Sequence, residues 1–158
     1  MTEIYMSRLY AFIQTVFLPV IALGYWFCCY LVIPINTPGI SVVFNFYLLI
    51  MPGEKPFKTK LLSKQIGTAR LSFGSPADME RLLDLYPGSV SVLGLMNDRE
   101  GKVQLVIDRE LLDAADFGCH PCRNTSSLRF STKELIEKIL PAVGHEPVYV
   151  DLPWVIEE

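Results

Sequence analysis

Phe44 to Met51 reads FNFYLLIM, an uncharged apolar run that Pro52-Gly53 brings to a stop. A short run of this kind between turn residues is the pattern of a strand covered on both faces. Working outward, Lys58 to Ile66 has helical spacing with Gly67 as its C-terminal stop. Arg70 to Phe73 follows as a short strand. Ser75-Pro76-Ala77-Asp78 supplies an N-cap, a proline at the first helical position and an acidic residue to close a capping box. Met79, Leu82 and Leu83 form the apolar face of that helix, and Pro87-Gly88 ends it. Val90 to Leu95 and Val103 to Ile107 are expected as strands, joined by a hairpin turn over Asn97-Asp98-Arg99-Glu100-Gly101. Asp108 is placed to cap a short helix through Leu112. Leu128 to Phe130 is a further strand, and Ser131-Thr132-Lys133-Glu134 forms a second capping box. The helix it starts turns Leu135, Ile136, Ile139 and Leu140 inward and is expected to stop at Pro141. Val148 to Leu152 closes the set as a strand. Strands and helices mix without a strict βαβ rhythm, so the fold class is α+β.

The residues before this domain are of another kind. At 158 residues and 51% hydrophobic the chain has room for one ordinary domain, and its apolar excess is concentrated at the N-terminus. No charged residue stands between Arg8 and Glu54. Leu9 to Ile33 is about 25 uncharged residues, enough to span a hydrocarbon core of about 30 Å at about 1.5 Å per residue. Pro19 and Gly24 interrupt it, which membrane helices tolerate better than soluble ones. The expected organisation is therefore an apolar segment over 1–43, holding a candidate membrane helix over 9–33, followed by a folded domain over 44–158. Membrane association through 9–33 is the corresponding partner expectation.

Charge gives a modest exclusion. The net charge of −3 argues against a protein that grips nucleic acid by bulk electrostatics, which requires clustered Lys and Arg. A local basic patch stays open, because Lys55, Lys58, Lys60, Lys64 and Arg70 are opposed only by Glu54. A solvated helix face explains the same residues more simply. The four cysteines, Cys28, Cys29, Cys119 and Cys122, do not make a secreted disulfide framework, and a reducing cytoplasm is the expected compartment.

Cys119-His120-Pro121-Cys122 has the spacing of a metal or redox pair. A structural zinc site needs four ligands, however, and the only other histidine is His145. Incidental cysteines are the simpler reading; neither a metal nor a cofactor is expected. His120 is a loop imidazole near Asn124, Thr125 and Ser126, able to hydrogen-bond a substrate or to help a proton transfer near neutral pH. A structural histidine holding loop carbonyls is an equally good account of it.

Four stretches then occur in a telling order: MPGEKPFKTKLLSKQIGTARLSFGS from Met51, PGSVSVLGLMNDREGKVQLVID from Pro87, GCHPCRNTSSL from Gly118, and GHEPVYVDL from Gly144. In order and spacing, the chain from Phe44 to Leu152 resembles the YbaK-type aminoacyl-tRNA editing domain, in the branch that includes the prolyl-tRNA editing proteins. The resemblance implies a curved mixed β-sheet flanked by helices. It also implies an aminoacyl-tRNA deacylase, a hydrolase that cleaves the ester of mischarged tRNA, typically Ala-tRNA(Pro), with prolyl-tRNA synthetase as a further partner. Gly88, Ser89, Val90, Ser91 and Val92 match the family loop that contacts the substrate, although Val92 stands where many relatives have proline. His120, Asn124 and Thr125 match the F-H-P-x-x-N-T segment, with Cys119 in place of Phe; His120 is thereby implied as the catalytic-site group. Lys55, Lys58, Lys60, Lys64 and Arg70 become candidates for contact with tRNA.

One departure bears on activity. Relatives carry a segment like H-x-K-N-L-F-L just before the strand that reads FNFYLLIM here, and its lysine is the residue most closely tied to catalysis. This chain reads Asn36-Thr37-Pro38-Gly39-Ile40-Ser41-Val42-Val43 there, and no lysine occurs before Lys55. Three accounts fit the junction: a frameshift upstream of Phe44, a natural membrane-anchored derivative, or an apolar segment that packs on the domain as a substitute core. The abrupt change of composition favours the first. A catalytically inactive module that binds tRNA or a synthetase is the alternative function.

Overall fold

The computed structural model of the chain describes residues 27–34 and 46–154. Its main sheet is built around β2 (Phe46–Pro52) and β4 (Val103–Asp108), which pair in parallel with Leu48 opposite Leu105 and Ile50 opposite Ile107. β1 (Phe27–Pro34) lies antiparallel to β2 on its other side, and β3 (Leu71–Phe73) lies antiparallel to β1. β7 (Val148–Val150) runs parallel to β4, giving the order β3-β1-β2-β4-β7. A second sheet pairs β5 (Asp116–Cys119) with β6 (Leu128–Ser131), and Arg129 forms an ion pair with Asp116 across it.

Burial in β2 explains its unbroken apolar run. Tyr47, Leu48, Leu49, Ile50 and Met51 are all buried, because both faces of the strand are covered. Leu48, Ile50, Leu105 and Ile107 face one core, together with Leu82, Leu83, Val92, Leu93, Phe117, Cys119, Leu135 and Leu140. Tyr47, Leu49, Met51 and Val106 face the other, with Leu62, Leu71, Val150 and Leu152. The helix α1 (Thr59–Gln65) covers this second face through Leu62. The helix α2 (Pro76–Leu83) belongs to the first face. In α2 the expected capping box is present: Ser75 Oγ accepts from Asp78 N at 3.2 Å and Ser75 N donates to Asp78 Oδ2 at 3.3 Å.

Several expectations change. The expected membrane helix over 9–33 does not reach its end as a helix: Phe27–Pro34 is a strand bonded on both sides within the main sheet, and residues 9–26 lie outside the described residues. Among the described residues no helix is long and apolar enough to cross a membrane. The boundary expected at residue 43 therefore falls inside the sheet, since β1 stands between β3 and β2. The expected strand over 90–95 is instead a 3₁₀ helix, Val92–Asn97, in which Val92, Leu93, Gly94 and Leu95 are all buried rather than alternating. Ser91 Oγ accepts from Leu93 N at its start, and a Cβ at Gly94 would lie 2.5 Å from Leu85 Cδ1. Leu85 thus packs directly against the Gly94 backbone. The hairpin turn goes with the expected strand: Asp98 accepts from Lys102 N and Val103 N, so 97–101 is a loop that feeds β4.

The last helix also continues where it was expected to stop. Thr132–Glu134 (α3) begins at the Ser131–Glu134 capping box, Leu135–Ile139 is π-helical, and Leu140–Val143 (α4) carries the chain past Pro141 to Gly144 at φ 72°. The wider turn restarts the α-helical ladder, so Pro141 falls in the first turn of α4, where its missing N–H is harmless. The strand β5 has no forewarning in the apolar pattern, being four residues long with a glycine in it.

Candidate functional site

Two loops meet at the edge of the first core. One leaves α2 through Asp84, at φ 51°, and runs through Tyr86, Pro87 and Gly88 to the 3₁₀ helix. The other leaves β5 at Cys119 and runs through His120, Cys122 and Asn124 to β6. Gly88 has φ 84°, a conformation that suits glycine, and a Cβ built on it would stand 3.6 Å from Asn124 Nδ2. The Ser91 side chain also stands close enough to the Cys119 thiol to act on it, a second approach of the two loops. Sequence-predicted residues 88–92 and 120–125 are thus brought together.

Within the first loop, Ser89 Oγ donates to Tyr86 O at 2.9 Å and accepts from Tyr86 N at 3.1 Å, closing the turn. Ser89, Ser91 and Val92 are buried, Val90 is half-buried and Gly88 is exposed. This loop therefore offers backbone more than side chains to a ligand. In the second loop Asn124 and Thr125 are exposed and His120 is half-buried. His120 Nδ1 lies 2.9 Å from Ser126 O. A carbonyl only accepts, so the ring holds a proton on Nδ1 and, when neutral, keeps its lone pair on Nε2. Burial pushes the Cys119 thiol up to about 12 and the Cys122 thiol up to about 11. Neither is a ready thiolate. Among the described residues no group of three or more His, Cys, Asp or Glu is gathered to hold a metal.

The basic candidates sit elsewhere. Lys58, Lys60, Lys64 and Arg70 are exposed on and around α1, which covers the opposite face of the sheet from the two loops. Lys55 parts from them altogether. Its ammonium is buried between Asp108 Oδ2, at 2.7 Å, and Glu110 Oε2, at 2.8 Å, and lies 5.5 Å from the centre of the Trp154 ring. Burial disfavours its charge, but the two carboxylates outweigh that and hold its pKa above the ordinary lysine value. Lys55 is a structural cation, not a surface contact.

Two residues beside the loops were not singled out from the sequence. Tyr86 is exposed, and the guanidinium of Arg123 lies 5.8 Å from its ring centre. Their only sequence signal is position, one before Pro87-Gly88 and one before Asn124. A separate cleft of about 400 Å³, lined by Leu140, Pro141, His145 and Tyr149 among others, does not include these loops.

Comparison with known proteins gives this fold and its pair of loops a family. The chain belongs to the aminoacyl-tRNA editing domain family, whose model matches residues 41–138. Over 99 residues it is 32% identical to the prolyl-tRNA editing protein ProX of Acetoanaerobium sticklandii, a match covering 63% of this chain and 60% of that protein. A solved structure of a proposed trans-editing enzyme for prolyl-tRNA synthetase shares the fold with a TM-score of 0.62 at 16% identity, covering 94% of this chain and 96% of that one. The structure of a hypothetical protein gives a TM-score of 0.59 at 18% identity, covering 92% and 81%. The expected YbaK-like α+β fold is thereby found.

Proposed function

We propose that this chain is an aminoacyl-tRNA deacylase that hydrolyses mischarged tRNA, with Ala-tRNA(Pro) as its substrate. The observation that carries the reading is the meeting of the Gly88 turn with Asn124 beside His120. The ester is already activated, so the site has to place the acyl carbon, position a water and stabilise developing negative charge. The exposed backbone at Gly88 and the Asn124 amide supply donors of the required kind. His120, with its Nδ1 proton directed at Ser126 O, is the positioning and proton-accepting group. Contact with tRNA away from its acylated end falls to Lys58, Lys60, Lys64 and Arg70 on the opposite face of the sheet, with Lys55 left out because it is buried. Prolyl-tRNA synthetase is the natural protein partner.

A second reading is favoured by one observation. No lysine precedes Lys55 in the sequence, and Lys55 is held between two carboxylates, so it does not replace the lysine of relatives. A module that binds tRNA or a synthetase without hydrolysis fits that fact. Deacylation of Ala-tRNA(Pro) by the wild type and by His120→Ala separates the two. Hydrolysis above background that His120→Ala lowers by about 10²-fold or more supports the enzyme. A folded wild type that binds tRNA and leaves the ester intact refutes it and leaves the binding module.

A further inference from the structure

At the outer rim of the two loops stands an aromatic ring that contributes to neither core. Tyr86 is 43% exposed, yet its position is fixed. Its N–H and carbonyl are both bonded to the Ser89 hydroxyl, and its own hydroxyl donates to Glu80 Oε1 at 3.3 Å. The Arg123 guanidinium lies over the ring, and Arg123 is itself exposed and adjacent to Asn124. A large ring held rigidly at the surface beneath a planar cation is a surface on which another flat π-system can stack at little entropic cost.

We propose that Tyr86 and Arg123 form a stacking platform for the base of the 3′-terminal nucleotide of the RNA substrate. The proposal rests on the editing reading, in which the ester sits on the ribose of that nucleotide and is presented between Gly88 and His120. The base is attached to the same ribose, so it must come to rest within one nucleotide's reach of Gly88. Tyr86 is two residues from Gly88, and Arg123 is bonded in sequence to Asn124, whose amide approaches Gly88. The charge pattern distinguishes a base from a phosphate. The carboxylates of Glu80 and Asp84 both act on Tyr86, and Arg123 is the cation opposing them. Such a surface attracts the face of an uncharged base and gives little welcome to a phosphodiester. Stacking of this kind tolerates any base, so the platform sets the position of the terminal nucleotide without reading its identity.

The test is a fluorescence-anisotropy titration with two uncharged acceptor-stem minihelices, one intact and one lacking only the terminal base. Wild type is compared with Tyr86→Ala, Tyr86→Phe, Tyr86→Trp and Arg123→Ala, each checked for folding by its thermal melt. Tyr86→Ala should weaken binding of the intact minihelix by between about 5-fold and 150-fold, the range for loss of one base–aromatic stack. Tyr86→Phe and Tyr86→Trp should keep the affinity, and Arg123→Ala should lose part of it. The minihelix without its terminal base should bind wild type as weakly as the intact one binds Tyr86→Ala, and should not respond to that substitution. Equal binding of the intact minihelix by wild type and a folded Tyr86→Ala overturns the platform while leaving the editing reading in place. An equal loss for both minihelices overturns it too, because the ring then acts on something other than the base. A wild type that binds neither minihelix and releases no amino acid from Ala-tRNA(Pro) removes the editing reading and the platform with it.

Discussion

Lys55 Nζ lies 2.7 Å from Asp108 Oδ2, and the two side chains are 3% and 2% exposed. The contact joins the loop after β2 to the C-terminal end of β4, two parallel strands at the centre of the sheet. Asp108 also accepts from Glu110 N through Oδ1, which starts the 3₁₀ helix Arg109–Asp113. Trp154 donates from Nε1 to Glu110 Oε2 at 2.9 Å, and its ring covers the ammonium. One buried cation thus links two strands, a helix start and Trp154.

Removing that cation should be costly. Lys55→Met leaves Asp108 as an uncompensated buried carboxylate, a situation that costs about 3–5 kcal/mol. Urea denaturation should show this loss as a lower midpoint with little change in slope. A loss under about 1 kcal/mol would mean that the carboxylate reaches water or takes up a proton when the lysine is gone.

A second buried carboxylate predicts the acid limb of stability. Burial tends to raise the pKa of Asp98, but His145 Nε2 at 3.0 Å and the backbone N–H groups of Lys102 and Val103 outweigh it, leaving the carboxyl below its ordinary value. The unfolded chain therefore binds the proton more tightly than the folded one, and stability rises with pH through this range. The contribution is complete above about pH 4, the unfolded aspartate value, and is lost as pH falls through the folded value. Asp78 and Glu134 move in the same direction, chiefly through the Ser75 and Ser131 hydroxyls of their capping boxes. Unfolding free energies measured between about pH 2 and pH 6 should fall toward acid in wild type. The Asp98→Asn variant should be less stable at the upper end and flatter across the range. An unchanged slope in Asp98→Asn would assign the acid limb to the two capping boxes.

Local rules recovered much of this molecule, and their failures have physical causes. The two capping boxes were legible because each is a contact within four residues, and both are present at Ser75 and Ser131. The run FNFYLLIM was legible because a strand covered on both faces leaves an apolar mark that needs no partner to be read. Val90 to Leu95 misled because the buried part of a 3₁₀ helix, Val92 to Leu95, shows the same β-branched, apolar composition as a strand. The local pattern carries no sign of Leu85 packed beside Gly94, a contact made by tertiary packing. Phe27–Pro34 misled for the converse reason: an uncharged run fits a bilayer or a central strand equally well, and only its pairing with β2 and β3 chooses. At the candidate site the histidine loop was visible as a motif, and the approach of Gly88 to Asn124 was implied only by the family resemblance. Lys55 looked like a member of a basic patch because its partner, Asp108, is far away in sequence.

The cysteines give the remaining test, one that also bears on how firmly His120 is held. With their thiols pushed up to about 12 and about 11 by burial, Cys119 and Cys122 are almost wholly protonated at neutral pH. At pH 8 a thiol with a pKa near 12 is thiolate in about one molecule in ten thousand, and one near 11 in about one in a thousand. The thiolate is the reactive form, so iodoacetamide at that pH should leave both residues unmodified in the native protein. Both should be alkylated in urea, and peptide mass spectrometry separates them from Cys28 and Cys29. The same protection should deny the pair a facile disulfide, because exchange also begins from a thiolate. Cys119 and Cys122 flank His120, and Cys119 lies beside Ser91 of the other loop. Rapid native alkylation at Cys119 would therefore mean that the loops part readily and that His120 is not kept in register with Gly88. Slow alkylation that matches the rate of global unfolding would mean that the site opens only when the first core does.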